Sequence, residues 1–196
     1  MLIDTSNITQ LKIDNTDVFL EDFGENSGKI TISDTYGHNY SMFWGAMGGS
    51  LIDFLLHIND SYFTHKLLPV GSEKVFDAKR TFSNVRKYIR DEMDFPYYKE
   101  MEFQKNMREV LNDFKDECED YGDEYAFVNN FYSSFVNRLD FYLIKDKHKR
   151  SDIEKNFKET ISEHWFFIEK SPSPECIWLV NFHKKLKKEL KKLKTC

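Results

Sequence analysis

One aspartate and two histidines beside a glycine-rich segment are the residues of this chain whose types and spacing could carry chemistry. Asp53 and His57 stand four apart, so they share one face of a predicted helix, and His65 follows closely. An Asp–His pair is half of a catalytic dyad, and histidines with carboxylates bind divalent metals. A third metal ligand at a suitable spacing is missing, so the pattern favours a hydrogen-bonded pair on a helix surface.

The glycine-rich segment itself, Gly45-Ala-Met-Gly-Gly-Ser50, lies between a predicted strand and a predicted helix, which is where phosphate-binding loops occur. It matches neither G-x-x-x-x-G-K-[ST] nor G-x-G-x-x-G, and no lysine follows the glycines. We therefore interpret it as a tight corner that lets the helix fold back onto the sheet.

The remaining candidates for catalysis are weaker. Cys118 falls on the apolar face of a predicted helix among acids, a setting that raises a thiol pKa and makes the thiol inert. Glu21 and Asp22 could bind Mg²⁺, but they lack the E-x-K arrangement of a nuclease core. The sequence thus predicts no catalytic residue, no metal ligand and no cofactor. It favours a binding protein, and an enzyme of unrecognised type, such as a metal-dependent hydrolase or nuclease around His57, is one alternative.

An acidic segment, DFKDECEDYGDE at residues 113–124, suggests what such a protein could bind. Carboxylates along a helix and its exit turn could imitate a row of phosphates and occupy the basic groove of a DNA- or RNA-handling protein. A solvated helix face is the simpler interpretation of the same pattern. The predicted partner-binding residues are Asp113, Asp116, Glu117, Glu119, Asp120, Asp123 and Glu124, together with Tyr40, Phe43 and Trp44.

The charge distribution is uneven, because a net charge of −5 includes a tail, Lys184–Lys194, that has seven Lys and one Glu. An acidic body argues against direct DNA binding by that body. The tail would suit RNA, an acidic partner or a membrane surface, but its leucine spacing favours an amphipathic helix that packs on the body with its lysines in water.

Composition also bears on the compartment. Three widely spaced cysteines without a CxxC pair make disulfides or a structural zinc site improbable. The N-terminus lacks the features of a signal peptide, and no apolar run approaches the length of a membrane span. We expect a cytoplasmic protein in a reducing compartment, without membrane contact.

The pattern of elements predicts an α+β fold. Segments at 8–13, 17–23, 29–33 and 40–44 alternate as strands of a small antiparallel β-meander, and helices follow at about 51–58 and 61–68. Later apolar residues recur every three or four positions, which predicts a helical bundle. The segment 164–168 is open to either helix or a strand that rejoins the meander, and a last helix runs over about 175–193. The apolar sets are Val75, Ala78, Phe82, Val85, Ile89 and Met93; Phe103, Met107, Val110, Phe114 and Cys118; Phe127, Phe131, Phe135, Leu139 and Leu143; and Leu179, Phe182, Leu186, Leu190 and Leu193.

We expect one domain over residues 1–196 with two lobes, 1–70 and 71–196. A meander this short is unlikely to be stable alone, so the lobes are expected to share one core.

Three motifs within residues 17–68 resemble a known family: V-x-L-E-D-F at Val18–Phe23, the turn and strand S-G-K-I-T-I at Ser27–Ile32, and an aromatic-W-G-x-M-G corner at Phe43–Gly48. The segment is similar to an uncharacterised family of accessory proteins encoded by tailed bacteriophages and prophages of proteobacteria. The resemblance covers roughly a quarter of the chain, and the family brings no catalytic residues to transfer.

The resemblance implies an accessory phage gene product. By analogy, such proteins often bind a host protein or ribonucleoprotein complex, as inhibitors of CRISPR–Cas and other defence systems do. The first hypothesis is therefore an anti-CRISPR-like inhibitor that acts by protein–protein binding. A phage structural or assembly factor that forms a homo-oligomer through its aromatic helices is a second alternative beside the enzyme. The resemblance also implies that the protein acts in the cytoplasm of a bacterial host cell.

Overall fold

The computed structural model describes residues 8–24, 26–91 and 101–195, and the chain forms two compact units. The first comprises Met1–Lys74 with Pro172–Cys196, and the second comprises Val75–Ser171. The chain leaves the first unit at strand β5 (Lys74–Phe76) and returns to it at strand β6 (Lys170–Pro172). These two short strands pair with each other. The predicted α+β class is confirmed.

The first unit is built on a four-stranded antiparallel sheet in the order β1 (Ile8–Ile13), β2 (Thr16–Gly24), β3 (Ser27–Asp34) and β4 (Asn39–Trp44). This is the predicted meander. Because side chains alternate along a strand, the inner face collects apolar side chains and the outer face polar ones. The buried inner positions include Val18, Leu20, Ile30 and Ile32.

Three helices cover the inner face: α1 (Leu51–His57), α2 (Asp60–Leu67) and α7 (Pro174–Thr195). Helix α7 contributes Leu179, Phe182, Leu186 and Leu190 to the core of this unit, which confirms its predicted apolar face. Helix α7 belongs to the first unit, whereas the sequence grouped it with the helical lobe 71–196. Its apolar stripe packs on the inner face of the sheet.

The described part of the second unit contains α3 (Ala78–Asp91), α4 (Met101–Asp120), α5 (Glu124–Ser134) and α6 (Lys147–Ile161), with three 3-10 turns. Its core is largely aromatic and encloses Phe114, which contacts four other phenylalanine rings at centroid distances of 5.4–6.2 Å. Among the described residues the buried apolar side chains form two clusters, one in each unit, so the expected shared core is not found. That the chain is a single domain stays a prediction.

Two segments of the second unit differ from the sequence pattern. The step of four from Phe127 to Leu143 predicts one long helix, but α5 ends at Ser134 and short 3-10 turns follow. Asp140 stabilises the second of these turns, because its carboxylate accepts a hydrogen bond from the Tyr142 N–H at 3.0 Å. Met93 lies outside the described residues.

The second difference concerns residues 164–168, which do not join the meander. His164–Phe167 forms a 3-10 turn in the second unit, and the strand that follows pairs with β5 instead. In the described part of the chain, no helix combines the length and the apolar character needed to cross a bilayer.

Candidate protein-binding site

The Asp53–His57 pair does not form a dyad. The Asp53 carboxylate accepts a hydrogen bond from Ser50 Oγ at 2.7 Å and pairs with Lys194, while His57 Nδ1 lies 2.6 Å from the backbone oxygen of Asp53. Salt-bridging to Lys194, together with the Ser50 hydrogen bond, lowers the pKa of Asp53. His65 is engaged elsewhere, with Nδ1 2.8 Å from Glu73 Oε1.

The glycine corner is closed to phosphate by the chain itself. The Asp22 carboxylate reaches from β2 to the first turn of α1 and accepts the Leu51 N–H at 2.9 Å, and it also accepts the Gly24 N–H at 3.0 Å. An anion at a helix N-terminus is favourable, and here a side chain of the protein supplies it. Gly48 takes a φ of +74°, which lets the chain turn from β4 into α1.

Gly28 completes the same contact between sheet and corner. A Cβ at this position would lie 3.1 Å from the Glu21 carbonyl oxygen, from Leu51 Cβ and from Met47 Cε. The three motifs that carry the family resemblance therefore meet in space and hold β2, β3 and α1 together. We call Asp22, Gly28 and the Leu51 N–H the corner junction.

The other two chemical candidates, the Glu21–Asp22 pair and Cys118, do not form a metal site. Glu21 lies on the outer face of the sheet, 3.1 Å from Lys29, whereas Asp22 points to the corner, so they do not face a common ion. Among the described residues, no group of three His, Cys, Asp or Glu side chains is placed to hold a metal ion. Burial, with Glu119 nearby, raises the pKa of Cys118 to about 12, which confirms the predicted inert thiol.

Four of the seven carboxylates predicted to bind a partner are used inside the second unit. Glu117 Oε1 lies 2.5 Å from Arg138, and hydrogen bonds from Ser134 and Arg138 lower the Glu117 pKa. Asp123 is the N-cap of α5, where it accepts the Ala126 N–H at 2.8 Å. The other two are in ion pairs, Glu119 with Lys115 and Glu124 with Lys170.

The remaining three, Asp113, Asp116 and Asp120, are exposed on one face of α4 and have no ion pair or hydrogen bond within the described ranges. Their spacing of three and four residues places them in one row, about 10.5 Å long at a rise of 1.5 Å per residue. We call these three residues the acidic row.

The three aromatic residues predicted to bind a partner, Tyr40, Phe43 and Trp44, do not form one surface. Trp44 is 5% exposed and packs on Phe54 at a centroid distance of 5.3 Å. Tyr40 is half-buried and stacks with Trp178 at 5.8 Å. Only Phe43 points to solvent, on the outer face of the sheet beside Phe23.

An exposed aromatic pair outside these predictions lies on the 3-10 turn His164–Phe167. In a 3-10 turn, residues i and i+3 share a side, so the two ends of this turn point inward together. His164 stacks on Phe131 at 5.1 Å, and Phe167 meets Tyr88 edge-on at 5.2 Å. The two middle residues, Trp165 and Phe166, are left 50% and 72% exposed. We call them the aromatic pair.

A groove of about 410 Å³ lies beside this turn. Polar and charged groups from α3 line one side of it, and Phe166, Phe167 and Glu163 line the other. The turn is held against α3 by Asn84, whose amide donates to Glu169 Oε1 at 2.9 Å and to the Phe167 carbonyl at 3.4 Å. The α3 residues of the lining are Asn84, Lys87, Tyr88 and Asp91.

Sequence reasoning missed this site because it considered the segment 164–168 only as a helix or a strand. The one signal available was the run His164-Trp-Phe-Phe directly before the break at Ser171-Pro. Four consecutive large rings exceed what one face of a helix or strand can bury, since both place neighbours on different sides. Such a run predicts that some of its rings stay at the surface.

Comparison with known proteins extends the resemblance of residues 17–68 to nearly the whole chain. No curated protein and no solved structure matches it. A family model described as a phage family matches residues 1–192. A match of this extent includes both units, and the chain therefore belongs to this phage family.

Proposed function

We propose that the protein is a phage accessory factor that binds a host protein or ribonucleoprotein complex and inhibits a nucleic-acid-handling or defence machine, in the manner of an anti-CRISPR protein. The observation that carries the binding role is the aromatic pair beside its groove. The membership in a phage family supplies the setting.

Large exposed rings next to a concave surface are typical of binding sites, because Trp and Tyr dominate the energetics of protein interfaces. The exposed parts of Trp165 and Phe166 amount to about 270 Å² if each whole ring side chain offers 200–250 Å². Burying that area is worth about 7 kcal/mol before the costs of association are subtracted. Two anchors of this size would contribute a large part of the binding free energy of a partner that fills the groove.

The acidic row indicates the kind of partner. Three free carboxylates over about 10.5 Å lie about 5.3 Å apart on average, which is roughly two-thirds of the linear charge density of one DNA strand with a phosphate about every 3.4 Å along the axis. A protein surface that normally holds nucleic acid is positively charged and would attract this row. The four internally paired carboxylates contribute less, because their charges are already compensated.

The proposal is tested by affinity capture with variants. Tagged wild type, a Trp165→Ala/Phe166→Ala double variant and a Tyr125→Ala control are incubated with a lysate of the bacterial host. Tyr125 is a suitable control, because it is an exposed aromatic of the same unit that does not line the groove. We expect wild type and control to retain one stoichiometric partner from a defence or nucleic-acid-handling complex, and the double variant to lose it.

Inhibition is measured separately on the captured complex, as loss of its nuclease or nucleic-acid-binding activity when the purified protein is added. Phe166→Ala should weaken binding at least about 30-fold, because Phe166 lines the groove and truncating a central aromatic costs about 2 kcal/mol or more. A partner held equally by the double variant would refute the aromatic site. A captured complex that stays fully active would refute inhibition, and a phage assembly protein as the partner would favour the assembly-factor alternative.

A further inference from the structure

A second charged surface lies on helix α7 of the first unit. Its buried face packs through Leu179, Phe182, Leu186 and Leu190, so the lysines of Lys184–Lys194 are on the remaining faces. Four of the seven lysines in this segment are engaged by the first unit itself. These are Lys185 with Asp14, Lys187 with the Ile58 carbonyl, Lys192 with Glu189, and Lys194 with Asp53.

The other three, Lys184, Lys188 and Lys191, are exposed and make no ion pair or hydrogen bond with the described part of the chain. Their spacing of four and three residues places them in one row of about 10.5 Å. We call these three residues the basic row. Lys188 also lines a polar cleft of about 270 Å³, whose other charged groups are Lys12, Lys185, Asp14 and Glu189. Lys12 on β1 is likewise exposed.

We propose that the basic row binds the phosphate backbone of duplex nucleic acid without sequence preference. Lysine is a point-charge ligand for phosphate, and a row of exposed lysines presents positive charge to a line of phosphates. No arginine is present in Lys184–Lys194, so the paired donors that read guanine edges are missing from this row.

Three other ligands fit less well. Single strands are held by aromatic stacking, and the described residues lining the cleft include no aromatic ring. An interfacial membrane helix inserts its apolar face, but that face of α7 is buried in the core of the first unit. Protein interfaces are depleted in lysine and centre on aromatic or arginine anchors, which the basic row lacks. The duplex backbone requires only the exposed positive charges that are present.

The test is fluorescence anisotropy of a labelled 20-base-pair duplex DNA with the whole protein, at salt concentrations between about 50 and 200 mM. Three phosphate contacts predict a slope of about −2.7 for the logarithm of the association constant against the logarithm of salt concentration. Over that fourfold range the affinity should fall about 40-fold. A single strand of the same length and vesicles with anionic lipid are measured beside the duplex.

The decisive variant is Lys184→Gln/Lys188→Gln/Lys191→Gln, which keeps good helix formers at exposed positions. We expect it to lose duplex binding at least tenfold, while a Lys→Arg triple variant at the same positions retains it. The control is Lys145→Gln/Lys147→Gln/Lys149→Gln, which removes the same charge from exposed lysines of the second unit. Control binding should stay within twofold of wild type.

Equal losses in both glutamine variants would show a net-charge effect and overturn the proposal. Absence of duplex binding by wild type at 50 mM salt would also overturn it. Stronger binding to the vesicles or to the single strand than to the duplex would assign the row to that ligand instead. Circular dichroism of each variant confirms that the helices are intact.

Discussion

The corner junction makes a prediction about Asp22, a residue of the motif that carries the family resemblance. Asp22 accepts two backbone N–H groups, from Gly24 and from Leu51, which is twenty-nine positions away in the chain. Hydrogen bonds to a charged group contribute about 1.5–3 kcal/mol each, and an anion at a helix N-terminus adds about 0.3–1 kcal/mol. We expect Asp22→Ala to lower the free energy of unfolding of the first unit by about 3 kcal/mol.

The variant Asp22→Asn tests how much of this loss comes from the charge and from the second hydrogen bond of the carboxylate. The two N–H groups bind different carboxylate oxygens, Oδ1 for Gly24 and Oδ2 for Leu51. An amide has only one acceptor oxygen, so Asn can keep one of these bonds but not both, and it loses the charge. We expect a loss of about half that of Asp22→Ala, or roughly 1.5 kcal/mol.

The assay is urea unfolding followed by circular dichroism, together with hydrogen exchange at the Leu51 amide. Asp17→Ala is the matched control, because Asp17 lies on the same strand with its side chain on the outer face. Its cross-strand neighbours are Lys12 on β1 and Ser33 on β3. The control should change stability by less than about 0.5 kcal/mol. If Asp22→Ala is as stable as the control, or if Leu51 exchange is unchanged, the junction does not hold the corner as described.

Four further predictions follow from individual contacts. Gly28→Ala should lower the free energy of unfolding in urea by about 1–3 kcal/mol, because the added Cβ would crowd a carbonyl oxygen. The control Gly45→Ala should be nearly neutral, because only the Phe43 ring lies near that position. Iodoacetamide at pH 8 should alkylate Cys118 about 1000-fold more slowly than an ordinary thiol, since its pKa is raised from 9.0 to about 12; rapid modification of the folded protein, read by mass spectrometry, would contradict its burial. Burial lowers the pKa of His183 from 6.5, against the hydrogen bond to Asp60. The folded state therefore binds fewer protons than the unfolded state. The contribution of His183 to stability is complete above about pH 6.5 and is lost as the pH falls toward the folded-state pKa. We expect the urea midpoint of His183→Gln to depend less on pH between about 5 and 7 than that of wild type. Replacing the acidic row by Asn should slow association with the captured partner and weaken its salt dependence, while a Glu102→Gln/Asp152→Asn/Glu175→Gln variant of equal charge should not.

Alternating and helical periodicities predicted most of the first unit. Val18 and Ile30 have inner-face spacing along their strands, and the leucines of α7 have helical spacing, because burial on one side imposes these periods directly. What periodicity does not encode is which surface an amphipathic helix covers. The stripe of α7 fits any apolar partner, so its placement on the sheet could not be read from its own residues.

The second unit shows where a regular pattern fails. Phe127, Phe131 and Phe135 are all buried, as their spacing of four predicts, but the helix ends one residue before Phe135. Phe135 has φ −123° and ψ −65°, outside the helical region, and is still inside the core. Burial can be satisfied by several backbone paths, so apolar spacing predicts which residues are inside more reliably than it predicts the path.

The sequence alone overstates the number of unpaired carboxylates in the acidic segment for a related reason. The sequence shows carboxylates but not the distant cations that reach them, such as Arg138 for Glu117 and Lys170 for Glu124. Three of seven remain free, and these are the three whose spacing places them on the outer face of α4. An acidic surface must therefore be counted after internal ion pairs are removed.

The residues that carry the family resemblance and the residues proposed to bind a partner belong to different units. Asp22 and Gly28 are used in packing within the first unit, whereas Trp165 and Phe166 protrude from the second. Variants should therefore separate stability from binding. Asp22→Ala should lower the unfolding midpoint without changing the affinity of the folded fraction, and Trp165→Ala should do the reverse, since truncating an exposed ring costs little stability. A loss of affinity in folded Asp22→Ala would mean that the corner itself contacts the partner.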